Sequence, residues 1–212
     1  VLPARVDFLI DIYKIPKEKT ELLVMGADDD KVKEAHEGSY RSKIREKYQI
    51  KDTDFLIVTG GKIDTAKKQT LLLMDAVNQI GNENIKLIVF GSVSSELEEQ
   101  VKKLSDSKFV RYIGWIDPND SYKYFSSADL VIFPGRHSVF WEQVVGLGIP
   151  IIAKYWEGTT HIELDGNCLF LYKDKIAEMK ENILKLYNNP IKLDRMRRAA
   201  KTHAAKEFSY YE

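Results

Sequence analysis

The segment richest in residues that could bind a ligand or act on one lies between residues 129 and 150. An apolar run stops at Pro134-Gly135, a polar elbow (Arg136-His137-Ser138) follows, and a predicted helix then carries Glu142 and Gln143. Free N–H groups at a helix start, with the helix dipole behind them, favour a phosphate. A carboxylate or amide one turn later could accept hydrogen bonds from sugar hydroxyls. A nucleotide-sugar carries both groups, so this segment predicts a site for such a ligand.

The first residues of this helix have two possible uses. The backbone N–H groups of Ser138, Val139 and Phe140 could bind the distal phosphate, while Ser138 would serve equally well as an N-cap. Glu142 and Gln143 could hold the ribose hydroxyls or simply support the helix dipole. Between the two we favour Glu142, because a charged acceptor makes the stronger hydrogen bond. Glu142 is also a candidate catalytic residue.

Other polar residues could contact the sugar. His137 is a second candidate catalytic residue, acting on the sugar or acceptor side, or else a structural hydrogen-bonding group. Arg136 could bind phosphate or sugar, or pair with an acidic surface group. Thr159, Thr160 and His161 form a polar loop after a predicted strand and are candidate sugar-binding residues.

A second group of candidates follows two earlier strands. Lys62 and Lys67 flank a short loop, where two ammonium groups could neutralise a diphosphate; the alternative is a solvated surface pair. Gly61 and Gly91 would let a ligand approach the backbone closely, although tight turns also need glycine. Trp115 could form one wall of a base pocket or serve as a core or lid aromatic.

Composition narrows the class of protein. The 212 residues suit one large domain or two small ones, and a 44% hydrophobic content is ample for a core. Lys+Arg and Asp+Glu are equal at 32 each, which argues against a nucleic-acid partner. The single cysteine, Cys168, and four scattered histidines leave no zinc pattern along the sequence and fit a cytoplasmic setting. No apolar run reaches the ~20 residues of a bilayer span, and no signal peptide is visible.

Apolar runs and helical patterns alternate along nearly the whole chain. This predicts an α/β fold with a Rossmann-like, doubly wound and mostly parallel sheet and helices on both faces. The predicted strands lie near residues 22–25, 55–59, 85–90, 110–114, 130–133, 149–153 and 168–171. The predicted helices include a surface helix at 39–48, the helix that carries Glu142 and Gln143, and others near 68–80, 94–104, 120–126, 176–187 and 193–207.

Several segments, in order along the chain, are similar to the motifs of one known family. The chain resembles the C-terminal, donor-binding domain of a retaining GT-B glycosyltransferase, of the group 1 or bacterial polysaccharide hexosyltransferase type. Lys62 and Lys67 take the places of the two basic residues that face the donor diphosphate in that family. Trp115 and Ile116 follow the glycine after which residues contact the base. The matching segments are 23–28, 61–68, 87–91, 110–116, 124–135 and 165–167.

The resemblance has two departures. The family's Glu-x7-Glu element is shorter here by about four residues, so Gln143 stands at the second glutamate and the first has no clear counterpart. Arg136, His137 or Ser138 could take its place. In the loop before Asp165-Gly166, His161 stands where the family has a glutamate.

The resemblance implies a specific biochemistry. Residues 1–212 would form a nucleotide-sugar-binding domain, with 1–20 a connection from a missing N-terminal domain and 191–212 a C-terminal helix. The implied reaction moves a hexosyl group, with retention, from a UDP- or GDP-linked sugar to a saccharide or lipid-linked acceptor. No cofactor and no metal would be required, since basic residues would neutralise the diphosphate charge that a metal ion neutralises in other enzymes. The isolated fragment would be inactive, and the full-length protein would be cytoplasmic with room for peripheral contact at the inner face of the membrane.

Two other functions remain open on the sequence. An epimerase or phosphorylase of the same fold would bind phosphate in the same way. For an epimerase, however, no separate pair of catalytic acid and base residues can be assigned. A non-enzymatic, flavodoxin-like binding module would need an acidic pocket at the end of its first strand. Glycines and lysines occupy the early strand ends here instead.

Overall fold

The computed structural model describes residues 3–210, and its centre is one six-stranded sheet. Every strand pairs in parallel with its neighbours, in the order β3-β2-β1-β4-β5-β6. The predicted α/β, Rossmann-like fold is therefore confirmed. The strands are β1 (Phe55–Gly60), β2 (Ile85–Phe90), β3 (Val110–Tyr112), β4 (Leu130–Phe133), β5 (Ile151–Lys154) and β6 (Cys168–Leu171).

Helices cover both faces of the sheet. Successive strand residues point to opposite sides, so Leu56 and Val131 join one buried apolar cluster while Ile57 and Ile132 join the other. Because both faces are covered, the strands read as continuous apolar runs. The helices are α1 (Pro3–Asp11), α2 (Asp29–Glu37), α3 (Tyr40–Lys47), α4 (Gln69–Ile80), α5 (Glu98–Ser105), α6 (Ser121–Ser126), α7 (Phe140–Gly146), α8 (Ile176–Tyr187), α9 (Pro190–Ala199) and α10 (Ala205–Glu207).

The strand order decides where a ligand can bind. The chain runs outward in one direction from β1 to β3 and in the other from β4 to β6, so β1 and β4 are neighbours at the switch point. Loops that leave the carboxyl ends of these two strands diverge and open a crevice there. Those loops are residues 61–68 and 134–139. Within residues 3–210, no helix is both long enough and apolar enough to cross a membrane.

The predicted strand at residues 22–25 is wrong. This run is an irregular segment, and Leu23 is 75% exposed. Its end is tied to the C-terminal part of the chain: Ala27 N–H donates to the Phe208 carbonyl at 2.8 Å, and Gly26 N–H donates to the Tyr210 hydroxyl at 2.6 Å. A short apolar run becomes a strand only beside a sheet edge, and this run lies elsewhere.

The sequence analysis also missed two helices. α1 lies within the segment 1–20 that was expected to be a connection. α2 begins directly after Asp28, whose side chain accepts a hydrogen bond from Lys31 N–H at 3.2 Å. Asp29 and Asp30 lie in its first turn, where negative charge is favourable. The acidic run therefore begins a helix. The sequence did not predict this helix because its apolar pattern is weak.

Two further helices differ from expectation. α3 is not merely a surface helix, because Arg45 within it is 1% exposed and paired with Asp129. The predicted helix 193–207 begins earlier, at Pro190, and is interrupted by one wide π-helical turn, Ala200–Ala204. The expected 191–212 helix thus ends at Glu207 within the described residues, and 211–212 lie outside them.

Candidate active site

The lysine loop after β1 and the elbow after β4 meet at the carboxyl edge of the sheet. A small cavity lies between them, and the segments that the sequence analysis placed together are thus neighbours in the fold. Its lining includes Gly61, Lys62 and Lys67 from one loop and Pro134, Gly135, Arg136 and Ser138 from the other.

The lysine loop is held by its own aspartate. Asp64 Oδ1 accepts hydrogen bonds from the N–H groups of Ala66 and Lys67, both at 3.0 Å, which fixes a tight turn. Lys62 Nζ lies 3.3 Å from Asp64 Oδ2 and its side chain is 63% exposed. Lys67 is half-buried and has no salt-bridge partner in the part of the chain that the structure describes. Its positive charge is therefore available to a ligand.

A second cavity, of about 220 Å³, shares Gly61 and Lys62 with the first. Trp115 forms an exposed wall of it, at 67% exposure, rather than a core aromatic. Gly91 lies on its floor with φ 126°, and a Cβ there would stand 2.0 Å from the Gly61 carbonyl oxygen. Only glycine permits that crossing of the two backbones. Three of the predicted ribose- and base-binding residues, Gly91, Trp115 and Ile116, line this cavity. Phe90 and Phe140, which were not predicted to bind the base, line it as well.

The elbow uses part of its hydrogen-bonding capacity internally. Ser138 Oγ accepts from Phe140 N–H at 3.2 Å, and the Ser138 carbonyl accepts from Trp141 N–H at 3.0 Å. Phe140 N–H, which was expected to face a phosphate, is thus already occupied by the serine. The N–H groups of Ser138 and Val139 have no hydrogen-bond partner among residues 3–210. The capping and the phosphate-binding interpretations of Ser138 are compatible.

Glu142 lies at the centre of a histidine pair. Its Oε1 is 2.7 Å from His137 Nε2 and 2.9 Å from His161 Nε2. The three side chains come from α7, the elbow and the short 3-10 turn Thr160–Ile162. Glu142 is 2% exposed, whereas the side chains of His137 and His161 are 20% and 14% exposed. Glu142 thus lies behind the histidines and faces them rather than solvent.

The two hydrogen bonds determine the charge of Glu142. Burial by itself would raise the pKa of this carboxyl, but the hydrogen bonds from His137 and His161 outweigh burial and lower the pKa to about 2. Glu142 is therefore ionised at neutral pH. Its second oxygen, Oε2, is buried and has no hydrogen-bond partner among the described residues.

The sequence did not predict that His137, Glu142 and His161 lie together. His137 and His161 are separated by a whole helix and strand, and the sequence shows no metal or triad spacing between them. The three side chains are of the types that bind transition metals, and one ligand atom from each lies within 4.8 Å of the others. Two sequence signals pointed to His161: the polar loop after β5, and its place where the family that the chain resembles has a glutamate.

The remaining candidates take different positions. Gln143 is half-buried, and its Oε1 has no hydrogen-bond partner in the described part of the chain. Thr159 is buried and donates its hydroxyl to the Trp156 carbonyl at 2.9 Å, so it stabilises a turn. Thr160 is exposed, and neither threonine lines the two cavities described above. Arg136 is exposed at the mouth of the crevice.

A larger cavity, of about 420 Å³, lies at the opposite, amino edge of the sheet. The carboxylate in its lining, Asp129, already pairs with Arg41 at 2.8 Å and with Arg197 at 2.7 Å. Ligand sites of open parallel sheets lie at the carboxyl edge. We therefore take the crevice beside Lys67 as the candidate active site.

The comparisons with known proteins agree with this geometry. The family model "Glycosyl transferases group 1" matches residues 40–203. A GDP-mannose-dependent monoacylated alpha-(1-6)-phosphatidylinositol monomannoside mannosyltransferase from Corynebacterium glutamicum is 23% identical, over 80% of this chain and 48% of its own length.

Solved structures show the same fold. Anabaena Alr3699/HepE, crystallised with UDP and glucose, has a TM-score of 0.77 at 19% identity and covers 98% of this chain with 58% of its own. A glycosyltransferase from Rickettsia africae has a TM-score of 0.79 at 15% identity, covering 99% of this chain and 58% of its own. This chain thus spans about half the length of the relatives it matches. The chain belongs to the group 1 family of glycosyl transferases and has the fold of a GT-B donor-binding domain.

Proposed function

We propose that this chain binds a nucleotide-diphosphate sugar and supplies the donor half of a hexosyltransferase. The observation that carries the proposal is the convergence of Lys62, Lys67 and the elbow on one crevice at the switch point of the sheet. Membership of the glycosyl transferase family supports the reaction class. It also argues against the epimerase, phosphorylase and flavodoxin-like alternatives.

The contribution of this half to catalysis is electrostatic. As the bond between the sugar and the distal phosphate breaks, negative charge grows on the departing nucleoside diphosphate. Lys67, half-buried and without an acidic partner in residues 3–210, stabilises that charge, and Lys62 adds to it at the rim. The unpartnered N–H groups of Ser138 and Val139 supply further donors. Preorganised donors of this kind are the largest single contribution in many enzymes.

The nucleoside occupies the cavity beside Trp115. Phe90, Phe140 and Trp115 offer apolar surface to a base, and Gly91 lets the base approach the backbone. For the ribose hydroxyls we now favour Gln143 over Glu142. Gln143 Oε1 has no partner among the described residues, whereas Glu142 is committed to two histidines.

The remaining features of the proposal concern the whole enzyme. Transfer proceeds with retention, as the resemblance to retaining GT-B enzymes implies. It needs no cofactor and no obligatory metal, because Lys62 and Lys67 neutralise the diphosphate. The acceptor, a saccharide or a lipid-linked sugar, binds largely to a further domain, so this chain alone binds nucleotide and transfers little or no sugar. Peripheral contact with the inner face of a membrane would then belong to the full-length protein.

Calorimetric titration tests the proposal directly. UDP, GDP and ADP are titrated into the 212-residue chain, and binding of UDP or GDP is expected. The relatives include a GDP-mannose-dependent enzyme and a structure with UDP and glucose, so both bases are necessary probes. Lys67→Ala should weaken the preferred nucleotide about tenfold, as expected for one lost charge-assisted contact.

The adjacent lysine provides a matched control. Lys68 is exposed and does not line the crevice, so Lys68→Ala removes the same charge without touching the site. Equal weakening by both variants would mean that only the overall charge matters. Absence of nucleotide binding in the unmodified chain would contradict the donor function.

A further inference from the structure

The histidine pair on Glu142 has a specific proton arrangement. Both imidazoles approach the same carboxylate oxygen through the same ring nitrogen, Nε2, at 2.7 and 2.9 Å. An ionised carboxylate only accepts hydrogen bonds, so both Nε2 atoms must carry hydrogen. In a neutral imidazole with hydrogen on Nε2, Nδ1 is a bare acceptor. Glu142 therefore specifies which nitrogen of each ring can accept a hydrogen bond.

We propose that Glu142 is a positioning residue, which holds His137 and His161 with hydrogen on Nε2 so that each Nδ1 accepts a hydrogen bond from a hydroxyl of the transferred sugar. The identity of the hydroxyl-bearing ligand rests on the proposed donor function. The proton arrangement does not.

The unsatisfied atoms of the cluster support a missing hydroxyl-bearing group. His161 Nδ1 is fully buried and has no hydrogen-bond partner among residues 3–210. A buried acceptor that is left unpaired destabilises the fold, so such an atom is normally satisfied by a ligand or water. His137 Nδ1 likewise has no partner in the described part of the chain. The two ring centroids are 6.0 Å apart, so the two imidazoles lie side by side.

The positions of the rings are well defined. The edge of His137 packs against Trp141, with centroids 5.0 Å apart and an interplanar angle of 73°. His161 packs beside Phe208, with centroids 6.0 Å apart. Trp141 and Phe208 are themselves buried. Glu142 joins the elbow to the loop after β5, so the two histidines form one preorganised surface from segments far apart in sequence.

This arrangement defines the class of sugar. A bare ring nitrogen accepts a hydrogen bond from a hydroxyl and repels a carboxylate, which has no hydrogen to donate at neutral pH. With Glu142 charged behind the histidines, a second carboxylate nearby would be further disfavoured. We therefore expect a neutral hexosyl donor to bind in preference to a uronosyl donor of the same nucleotide.

The proton arrangement can be measured without any substrate. Two-dimensional 15N–1H NMR of the histidine rings, at about pH 8 where imidazoles are normally neutral, distinguishes hydrogen on Nε2 from hydrogen on Nδ1. The unmodified chain should show Nε2–H for both His137 and His161. Glu142→Leu removes the oxygen that accepts from both rings, so at least one histidine should no longer hold its hydrogen on Nε2 alone and should show both tautomers. Glu157→Gln, an exposed glutamate nearby, should change neither.

Binding measurements then test the role in sugar recognition. UDP and UDP-glucose, and GDP and GDP-mannose, are titrated into the same variants. Glu142→Leu, which removes the acceptor, should leave affinity for the free nucleotide unchanged and lower affinity for the sugar nucleotide about tenfold. UDP-glucuronic acid should bind the unmodified chain more weakly than UDP-glucose. If Glu142→Leu does not fold, His161→Gln, which removes one ring, carries the same comparison.

The outcomes separate the two proposals. If no nucleotide binds the unmodified chain, the donor function fails, and the tautomer data alone decide the role of Glu142. An Nδ1–H tautomer in the unmodified chain, or equal losses for nucleotide and sugar nucleotide, would overturn the positioning role. So would Zn2+ binding to the unmodified chain that His137→Ala and His161→Ala each abolish, since the three side chains would then be metal ligands.

Discussion

Two buried carboxylates, at opposite edges of the same sheet, differ in how many of their oxygens accept hydrogen bonds. Asp129, at the amino edge, uses both oxygens: Oδ1 pairs with Arg41 and Arg197, while Oδ2 accepts from Arg45 at 2.7 Å and from Leu56 N–H at 2.9 Å. Glu142, at the carboxyl edge, pairs through one oxygen, and its Oε2 has no partner in residues 3–210.

The difference separates a structural cluster from a functional one. At Asp129 both carboxylate oxygens serve to join α3 and α9 to the sheet, and little capacity is left on them for a ligand, although the Nε of Arg45 in the same cluster is buried and has no partner among the described residues. Near Glu142 buried atoms remain without a partner among the described residues, including Glu142 Oε2 and His161 Nδ1. Unsatisfied buried polar atoms cost stability, so they persist where a ligand completes them. The following predictions test this contrast.

The largest effect is expected at the amino edge. Asp129→Ala leaves Arg45, which is 1% exposed, as a buried charge without its carboxylate partner. Breaking such a pair from one side costs about 3–5 kcal/mol of unfolding free energy. Urea denaturation measures this loss. As a control, Asp194→Ala breaks an exposed pair with Arg198 on α9 and should cost no more than about 1 kcal/mol. Similar losses in both variants would show that Asp129 is not a structural centre.

The next effect is acid sensitivity at Glu142. Its folded-state pKa is depressed to about 2, so its carboxylate stabilises the fold at neutral pH. That contribution, at most roughly 3 kcal/mol, should be lost as pH falls from about 4.5 towards 2. The stability difference between the unmodified chain and Glu142→Gln should therefore shrink over this range. A constant difference from neutral to acidic pH would contradict the depressed pKa.

A binding effect without a stability effect is expected at Lys67. Because this lysine has no salt-bridge partner in the described chain, Lys67→Ala should change the free energy of unfolding by no more than about 0.5 kcal/mol. Nucleotide affinity should nevertheless fall about tenfold. Denaturation and calorimetry on the same sample compare the two quantities. A large loss of stability would indicate a structural role like that of Asp129.

The smallest effect is expected at Trp115. Its side chain is 67% exposed, so Trp115→Ala should leave stability within about 0.5 kcal/mol of the unmodified chain. If it stacks on the base, nucleotide affinity should fall several-fold, by about 1 kcal/mol. Trp156→Ala, another exposed tryptophan that does not line the crevice, is the matched control. Equal behaviour of the two variants would remove Trp115 from the base site.

Much of the fold could be predicted because it depends on local pattern. β1 and β2 are apolar runs bounded by glycine, and their residues match the predicted strands closely. The same criterion failed at residues 22–25, where an apolar run exists but no sheet edge receives it. It also failed at α2, whose charged sequence carries too weak an apolar stripe to indicate a helix.

The sequence by itself determined that Lys62, Lys67 and the elbow would share one edge. Parallel strands with right-handed crossovers bring all their carboxyl ends to the same side, whatever the details of packing. The partners of the two buried carboxylates were decided by the tertiary structure alone. His161 reaches Glu142, and Arg45 reaches Asp129, across 19 and 84 residues of sequence. Such contacts depend on how helices and loops pack over the sheet, and the local periodicity of the sequence does not predict that packing.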